Sequence, residues 1–300
     1  MLSGFIIYYT TFSKPPSVGS FVTKRFIRIY PIYWVVTLLL IAAYFLSPSP
    51  SQAHKADPLV IAGSLVLWPQ EKYVVGVAWT LTYEIVFYLV FAFTFLRKPI
   101  YLLYAFAVWI TASLLCAIFS LKTGFHAIDS LLDPIVINFA LGCVVAYVFT
   151  RLPSFRYGNS FLVFGAFAFA AAWLIYQNAV LQDASAFTHL FSRVCLFGLP
   201  SAIFIFGCLY VNTRMPGWLV YLGDASYSIY LIHGTVLVVL LKLAGKLNFS
   251  PLLNNFSGAT FLFLFTIAVG GIFHTWVEKP ISRFMAASAK TKKTSYANAS

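Results

Sequence analysis

Two ionisable side chains lie inside long apolar segments of this chain and are the first candidates for its chemistry. Glu84 is embedded in the segment Trp79–Tyr88, and His233 is embedded in the segment 227–243. An ionisable group in the middle of a bilayer costs about 2.5–3.5 kcal/mol on insertion scales, so each of these side chains needs a partner or a function. Carboxylates and imidazoles transfer protons in catalysis, and they also form the proton relays of transporters.

The surroundings of Glu84 favour a functional role over packing. Tyr88 follows it by four residues, which places the phenol on the same helical face, and the hydroxyls of Thr80 and Thr82 precede it. For His233, a functional role and a simple hydrogen bond between helices explain the sequence equally well, because a neutral imidazole costs less to bury than a carboxylate.

Arg25 and Arg28 form a second candidate site. They stand one helical turn apart in the segment 24–31, where a long apolar run begins. Two guanidinium groups on one face would hold a phosphate-rich cytosolic ligand through paired hydrogen bonds. The tendency of basic residues to remain in the cytoplasm would also explain them. No P-loop or Rossmann glycine pattern is present, so a nucleotide-like ligand would have to bind through such a patch.

Three further residues have simpler explanations. Asp224 precedes the segment 227–243, where the default interpretation is a helix N-cap. His274 and Glu278 are four residues apart and predict a local pair, and Pro280 is predicted to end their helix. The four cysteines lie in apolar runs without C-x-x-C spacing, so neither a disulfide framework nor a metal site is expected.

The composition indicates that these segments lie in lipid. Of the 300 residues, 61% are hydrophobic and 9% are charged, and the mean hydropathy is +0.86. A soluble domain carries about 25% charged residues, so the polar residues here cannot cover a surface exposed to water. The net charge of +12 is distributed in small clusters between apolar runs, which argues against nucleic acid as a partner. The sequence therefore predicts an all-α polytopic membrane helix bundle in contact with membrane lipid.

A helix that crosses a bilayer needs about 20 apolar residues, and eight segments fit that requirement. They are 29–46, 77–96, 100–120, 134–149, 161–179, 191–211, 227–243 and 259–277. Two apolar runs are shorter. One is 1–12, about half a span, and the other is Leu59–Trp68, which is predicted to belong to an interfacial or re-entrant element at 59–76.

Basic residues set the predicted orientation. If the first short run exits into the cytoplasm, alternate loops carry 14 of the 20 Lys and Arg residues, and the C-terminus is cytoplasmic. The first run is then half a span that begins in mid-bilayer, so we expect one further complete span before Met1 and ten spans in all. The predicted organisation is a membrane domain at 1–284 and a basic, polar cytoplasmic tail at 285–300.

Five short motifs occur in a fixed order along the chain. They are Ser3-Gly4-Phe5-Ile6; Arg25-x-x-Arg28-Ile-x-Pro31-x-Tyr33-Trp34; Trp79-Thr80-Leu81-x-Tyr83-Glu84-x-x-Phe87-Tyr88; Leu222-Gly223-Asp224-x-Ser226-Tyr227-Ser228-Ile229-Tyr230-Leu231-x-His233; and Glu278-Lys279-Pro280. In this order they resemble the membrane acyltransferase 3 family, and most closely its bacterial exopolysaccharide acetyltransferase branch. The resemblance covers the whole chain.

The resemblance implies a bundle in the bacterial inner membrane that transfers an acyl group, usually acetyl from acetyl-CoA, to a hydroxyl of an exported polysaccharide or its lipid-linked precursor. Acyl-CoA is then a co-substrate, with no bound cofactor. In that family the arginine pair is associated with the acyl donor and corresponds to Arg25 and Arg28. The acidic residue of the W-x-L-x-x-E motif corresponds to Glu84. Supporting roles fall to Trp79, Tyr83, Tyr88, Asp224 and Ser226.

The sequence departs from the family pattern at its beginning. Relatives usually carry an arginine and then a histidine in the first span, and that histidine is the favoured catalytic base. Since this span is absent here, His233 or Glu84 is the candidate base, and an inactive chain is an equal expectation. Asn138 stands where relatives often carry Glu, and it is assigned no role.

Two other classes of function compete with acyl transfer. A transporter or flippase of a glycan or small solute would also use buried Glu and His residues, although no inverted internal repeat supports it. A structural partner without chemistry would leave the cost of burying Glu84 unexplained.

Overall fold

The computed structural model describes residues 1–181, 190–211, 213–247, 255–285 and 287, and this part of the chain forms helices joined by turns and no strands. The chain divides into two compact units. One consists of Met1–Phe21 with Tyr83–Arg214, and the other of Val22–Thr82 with Met215–Ser300.

The helices are defined in chain order. They are α1 (Leu2–Phe12), α2 (Val18–Leu46), α3 (Pro58–Val66), α4 (Ala78–Thr94), α5 (Pro99–Ile118), α6 (His126–Leu131), α7 (Ile137–Arg151), α8 (Gly158–Leu181), α9 (Leu190–Cys208), α10 (Gly217–Asp224), α11 (Ser226–Lys246) and α12 (Phe256–Phe273). Short 3₁₀ segments at Pro50–Ala56 and Pro134–Val136 precede α3 and α7.

Among the described residues, six helical segments are long and apolar enough to cross a membrane, which identifies a multi-pass membrane protein. They are Val18–Leu46, Pro99–Ile118, His126–Arg151, Gly158–Ala179, Ser226–Lys246 and Phe256–Met285. Each of them contains or overlaps one of the eight predicted spans. The other two predicted spans coincide with shorter apolar helices, Ala78–Thr94 and Val194–Cys208, so the total of eight stays a prediction.

Most of the short run at Leu59–Trp68 forms the nine-residue helix α3. Nine residues extend only about 14 Å. Three side chains of α2 donate hydrogen bonds to the last carbonyls of α3, at 2.8 Å from Tyr33, 2.8 Å from Trp34 and 3.1 Å from Tyr30. Carbonyls at a helix end need such partners when water is excluded, so this aromatic segment of α2 stabilises a short helix.

In the first unit, α1 packs closely against α7. A methyl group at Gly142 of α7 would lie 2.1 Å from the Met1 carbonyl oxygen, so only glycine permits this approach. An aromatic core lies nearby, in which the rings of Phe87 and Phe139 stack with centroids 4.7 Å apart. This packing fixes the first turn of α1, which carries Ser3.

In the second unit, the last helix continues past the point where it was predicted to end. A π-helical turn at His274–Glu278 follows α12, and helix then continues through Pro280 to Met285. The prediction that Pro280 ends the helix was therefore wrong. A proline ring clashes with the turn before it, and here that turn is the wider π turn, which relieves the clash.

The predicted tail at 285–300 lies outside the described residues, except for positions 285 and 287.

Candidate active site

The second unit contains a buried carboxylate with three partners. Glu278 is 2% exposed and accepts hydrogen bonds from Ser228 Oγ at 2.6 Å and His274 Nδ1 at 2.8 Å. Its other oxygen, Oε1, lies 3.5 Å from Nη1 of Arg28. Residues of α2, α11 and the π turn therefore meet at one carboxylate, which we call the Glu278 cluster.

The Glu278 cluster holds the Arg28 guanidinium in place while leaving much of it accessible. The Arg28 side chain is 52% exposed, and its Cζ lies 5.8 Å from the centroid of the Tyr227 ring. Tyr227 is itself fixed by a 2.8 Å hydrogen bond from its hydroxyl to the Ile29 carbonyl. Arg25 is partly buried one helical turn earlier on α2. A guanidinium has five N–H donors, so one contact with Glu278 leaves others to bind an anion.

The predicted local pair of His274 and Glu278 is confirmed, but it is incomplete because it omits Arg28 and Ser228. Sequence reasoning missed these contacts because they join segments far apart in the chain. The signals available for Glu278 were its spacing from His274 and the Glu-Lys-Pro motif that it begins.

The prediction that Asp224 caps the following helix was wrong. Asp224 is the last residue of α10, and Ala225 occupies the N-cap of α11 without a side-chain hydrogen bond. A one-residue break between the two helices leaves no extended residue there to act as a cap. Asp224 and Ser226 are both exposed, and within the described residues neither side chain joins the Glu278 cluster. Ser228, the third residue of α11, joins the cluster instead.

His233 lies in a second polar group of the same unit. Its Nδ1 is 2.5 Å from the Tyr230 carbonyl oxygen and donates the hydrogen, because a carbonyl can only accept. The Tyr230 hydroxyl contacts the Thr80 hydroxyl and lies 3.2 Å from the Val77 carbonyl oxygen. When the imidazole is neutral, this tautomer leaves Nε2 with the lone pair, so Nε2 is the atom that can accept a proton.

Glu84 lies in the first unit and is only partly buried. Its Oε1 accepts a hydrogen bond from Ser3 Oγ at 2.6 Å and another from the Tyr88 hydroxyl. The contact with Tyr88 confirms the predicted i, i+4 relation. Ser3 was not predicted as a site residue, although it belongs to the first of the five motifs. Within the described part of the chain, Oε2 accepts no hydrogen bond.

The remaining supporting candidates are divided between the units. Trp79 belongs to the second unit and is 44% exposed, whereas Tyr83 belongs to the first unit and is buried. Among the described residues, no three His, Cys, Asp or Glu side chains gather as metal ligands.

Comparisons with known proteins give a consistent result. The family profile described as an acyltransferase domain matches residues 1–275. The chain is 28% identical over 322 aligned positions to the acyltransferase MdmB of Streptomyces mycarofaciens, which covers 95% of this chain and 79% of MdmB. It is 23% identical over 257 positions to the exopolysaccharide production protein ExoZ of Rhizobium meliloti strain 1021, which covers 81% of this chain and 75% of ExoZ. No solved structure matches the chain.

Proposed function

The chain belongs to the acyltransferase 3 family and is an acyltransferase, and from this premise we propose that it acylates an exported polysaccharide or its lipid-linked precursor. The acyl group would be acetyl, the donor acetyl-CoA, and the location the bacterial inner membrane with a cytoplasmic C-terminus. Similarity to a protein named for exopolysaccharide production supports this class of acceptor. Membership of the family favours acyl transfer over the transporter alternative.

The main support for acetyl-CoA as the donor is the Arg28 guanidinium. It contacts the buried Glu278 carboxylate and the Tyr227 ring, and its side chain is still 52% exposed. Coenzyme A carries several phosphate charges, and guanidinium groups bind phosphates through paired hydrogen bonds. Arg25, one turn earlier on the same helix, would add a second planar guanidinium group. Because Glu278 fixes the position of Arg28, less side-chain entropy is lost when the donor binds.

The reaction needs a group that takes the proton of the acceptor hydroxyl. As that proton leaves, the oxygen bonds to the thioester carbonyl carbon, a tetrahedral oxyanion forms, and the carbon–sulfur bond then breaks. The thiolate of coenzyme A recovers a proton, so one ester and one thiol are produced for each thioester consumed. We propose His233 Nε2 as the base, because the hydrogen bond from Nδ1 to Tyr230 fixes the required tautomer.

Glu84 is the second candidate base, because its Oε2 is uncommitted while Ser3 and Tyr88 hold Oε1. Its substitution by Gln keeps the shape and an acceptor while removing the ionisable group. Each candidate base can be removed by a single substitution, His233→Asn or Glu84→Gln. Measuring acyl transfer by the two variants therefore distinguishes the candidates.

The test is transfer of radiolabel from acetyl-CoA to glycan in membranes that contain the protein. The His233→Asn variant keeps a short N–H donor for the Tyr230 carbonyl but removes Nε2, and transfer should fall by about 10²-fold or more, the range for loss of a general base. Tyr88→Phe is the control for Glu84→Gln, because it removes a hydrogen bond to Glu84 but leaves the carboxyl group in place. Normal transfer by His233→Asn together with lost transfer by Glu84→Gln would assign the base to Glu84.

A further inference from the structure

The second unit contains a cavity of about 500 Å³, and neither Arg25 nor Arg28 lines it. It is bounded by the last part of α2, the 3₁₀ segment Pro50–Ala56, residues 73–77 and the middle of α11. Its volume is within the range of about 300–1,000 Å³ that is usual for ligand sites.

The cavity carries positive charge without a matching negative charge. Lys55, Lys242 and His54 line it, and no acidic residue does among those described. Lys55 Nζ has a neutral partner, Gln52 Oε1, at 3.3 Å. Burial, and then repulsion from Lys242, lower the pKa of Lys55. An anion placed between the two lysines would relieve both effects, so the charges favour an anionic ligand.

The rest of the wall is largely aliphatic. Leu40 of α2, Val75, and Leu231, Val238 and Val239 of α11 contribute to it. An inorganic anion or a free sugar would leave this apolar surface in contact with water or with polar groups. A ligand that has both an anionic head and an apolar tail would satisfy the two parts of the wall.

The position of the cavity suits an acceptor more than the donor. Tyr44 lines it, and at 1.5 Å per residue Tyr44 lies about 24 Å along α2 from Arg28. The basic-residue distribution predicts that this end of α2 faces away from the cytoplasm. Val77, whose carbonyl oxygen lies 3.2 Å from the Tyr230 hydroxyl, lines the cavity, whereas His233 does not. The cavity therefore borders the contact between Tyr230 and Val77.

We propose that this cavity binds the phosphate or diphosphate head and the first part of the apolar tail of a lipid-linked glycan. This inference rests on the proposed function and specifies it: the acceptor is acylated while it is still attached to its lipid carrier. The lysines hold the phosphate, the aliphatic wall holds the tail, and the sugar extends from the phosphate out of the cavity.

Farnesyl diphosphate is a suitable probe because it combines a diphosphate head with a short isoprenoid tail. Binding to the purified protein in detergent is measured beside farnesol, which lacks the charge, and in competition with phosphatidylglycerol vesicles. We expect farnesyl diphosphate to bind at least tenfold more tightly than farnesol, since charge-assisted contacts contribute at this level. Equal binding of the two probes, or displacement by phosphatidylglycerol at matched concentration, would overturn the proposal, the second by showing a general phospholipid site.

Matched variants test the lysines. The double variant Lys55→Gln/Lys242→Gln should weaken farnesyl diphosphate binding about tenfold and leave farnesol binding unchanged, and Lys55→Arg/Lys242→Arg should retain the binding. Lys72→Gln/Lys246→Gln is the control, because both residues are exposed and neither lines the cavity. An equal loss in the control, or no loss in the test variant, would contradict the proposal.

The binding assay and the transfer assay fail independently. If acetyl transfer occurs but Lys55→Gln/Lys242→Gln binds farnesyl diphosphate as tightly as the unaltered protein, this inference is wrong and the proposed function stands. If binding depends on the lysines but no acetyl group is transferred from acetyl-CoA, the proposed function is wrong.

Discussion

Replacing Glu278 by Gln should weaken both the fold and donor binding. The amide keeps the size of the side chain but removes the negative charge that Arg28, Ser228 and His274 share. A hydrogen bond to a charged group contributes about 1.5–3 kcal/mol and a neutral one about 0.5–1.5 kcal/mol, so each of the two short bonds loses about 1 kcal/mol. Arg28 is half exposed, so its contact adds no more than about 1 kcal/mol.

The expected loss is therefore about 2–3 kcal/mol in the free energy of unfolding, which for a chain of this size lowers Tm by about 3–5 °C. Thermal unfolding of the purified protein in detergent measures this shift. The functional effect is separate: with Arg28 no longer held, KM for acetyl-CoA should rise several-fold at a temperature where the variant is folded, while kcat changes less.

The matched control is Glu71→Gln, which removes an exposed carboxylate from the same unit. It should leave Tm and KM unchanged, because exposed charges contribute little. A normal Tm for Glu278→Gln would refute the energetic reasoning. A lowered Tm with an unchanged KM would show that the cluster supports the fold without orienting Arg28 for the donor.

Three further predictions concern the donor, the topology and the cavity. Arg25→Lys/Arg28→Lys keeps the charge but removes the planar forks, so KM for acetyl-CoA should rise about tenfold with a small change in kcat, and an unchanged KM would refute the donor assignment. In a cysteine-free background, a membrane-impermeant thiol reagent on intact cells should label Ser51→Cys and not Ser154→Cys; the opposite pattern would reverse the topology. Because burial and Lys242 lower the pKa of Lys55, farnesyl diphosphate binding should weaken as pH rises through that lowered pKa, and Lys242→Gln should move the loss to higher pH. The other titratable groups that line the cavity are His54, Tyr44 and Tyr73, and a titration that Lys242→Gln does not move would contradict this assignment.

Features set by local spacing could be predicted from the sequence. The spacing of Glu84 and Tyr88, and that of His274 and Glu278, places each pair on one face of a helix, and the structure has both hydrogen bonds. The shortness of the apolar run at Leu59–Trp68 likewise agrees with the nine-residue helix α3.

Features that depend on which helices pack together could not be predicted. The spacing of apolar residues in α1 and α4 does not show that Ser3 lies beside Glu84, because that contact follows from the packing of their helices. The contact of Arg28 with Glu278 is of the same kind. Continuation of the helix through Pro280 was missed because the π turn before it has no sequence signature of its own.

Acyl transfer itself is tested most directly with the purified protein in liposomes, a lipid-linked glycan and acetyl-CoA whose acetyl group is radiolabelled. We expect label to enter the glycan as a base-labile ester and one coenzyme A thiol to be released for each ester formed. His233→Asn should lower both by about 10²-fold or more. Release of thiol without labelled glycan, or movement of the glycan across the membrane with no ester formed, would contradict the proposed function.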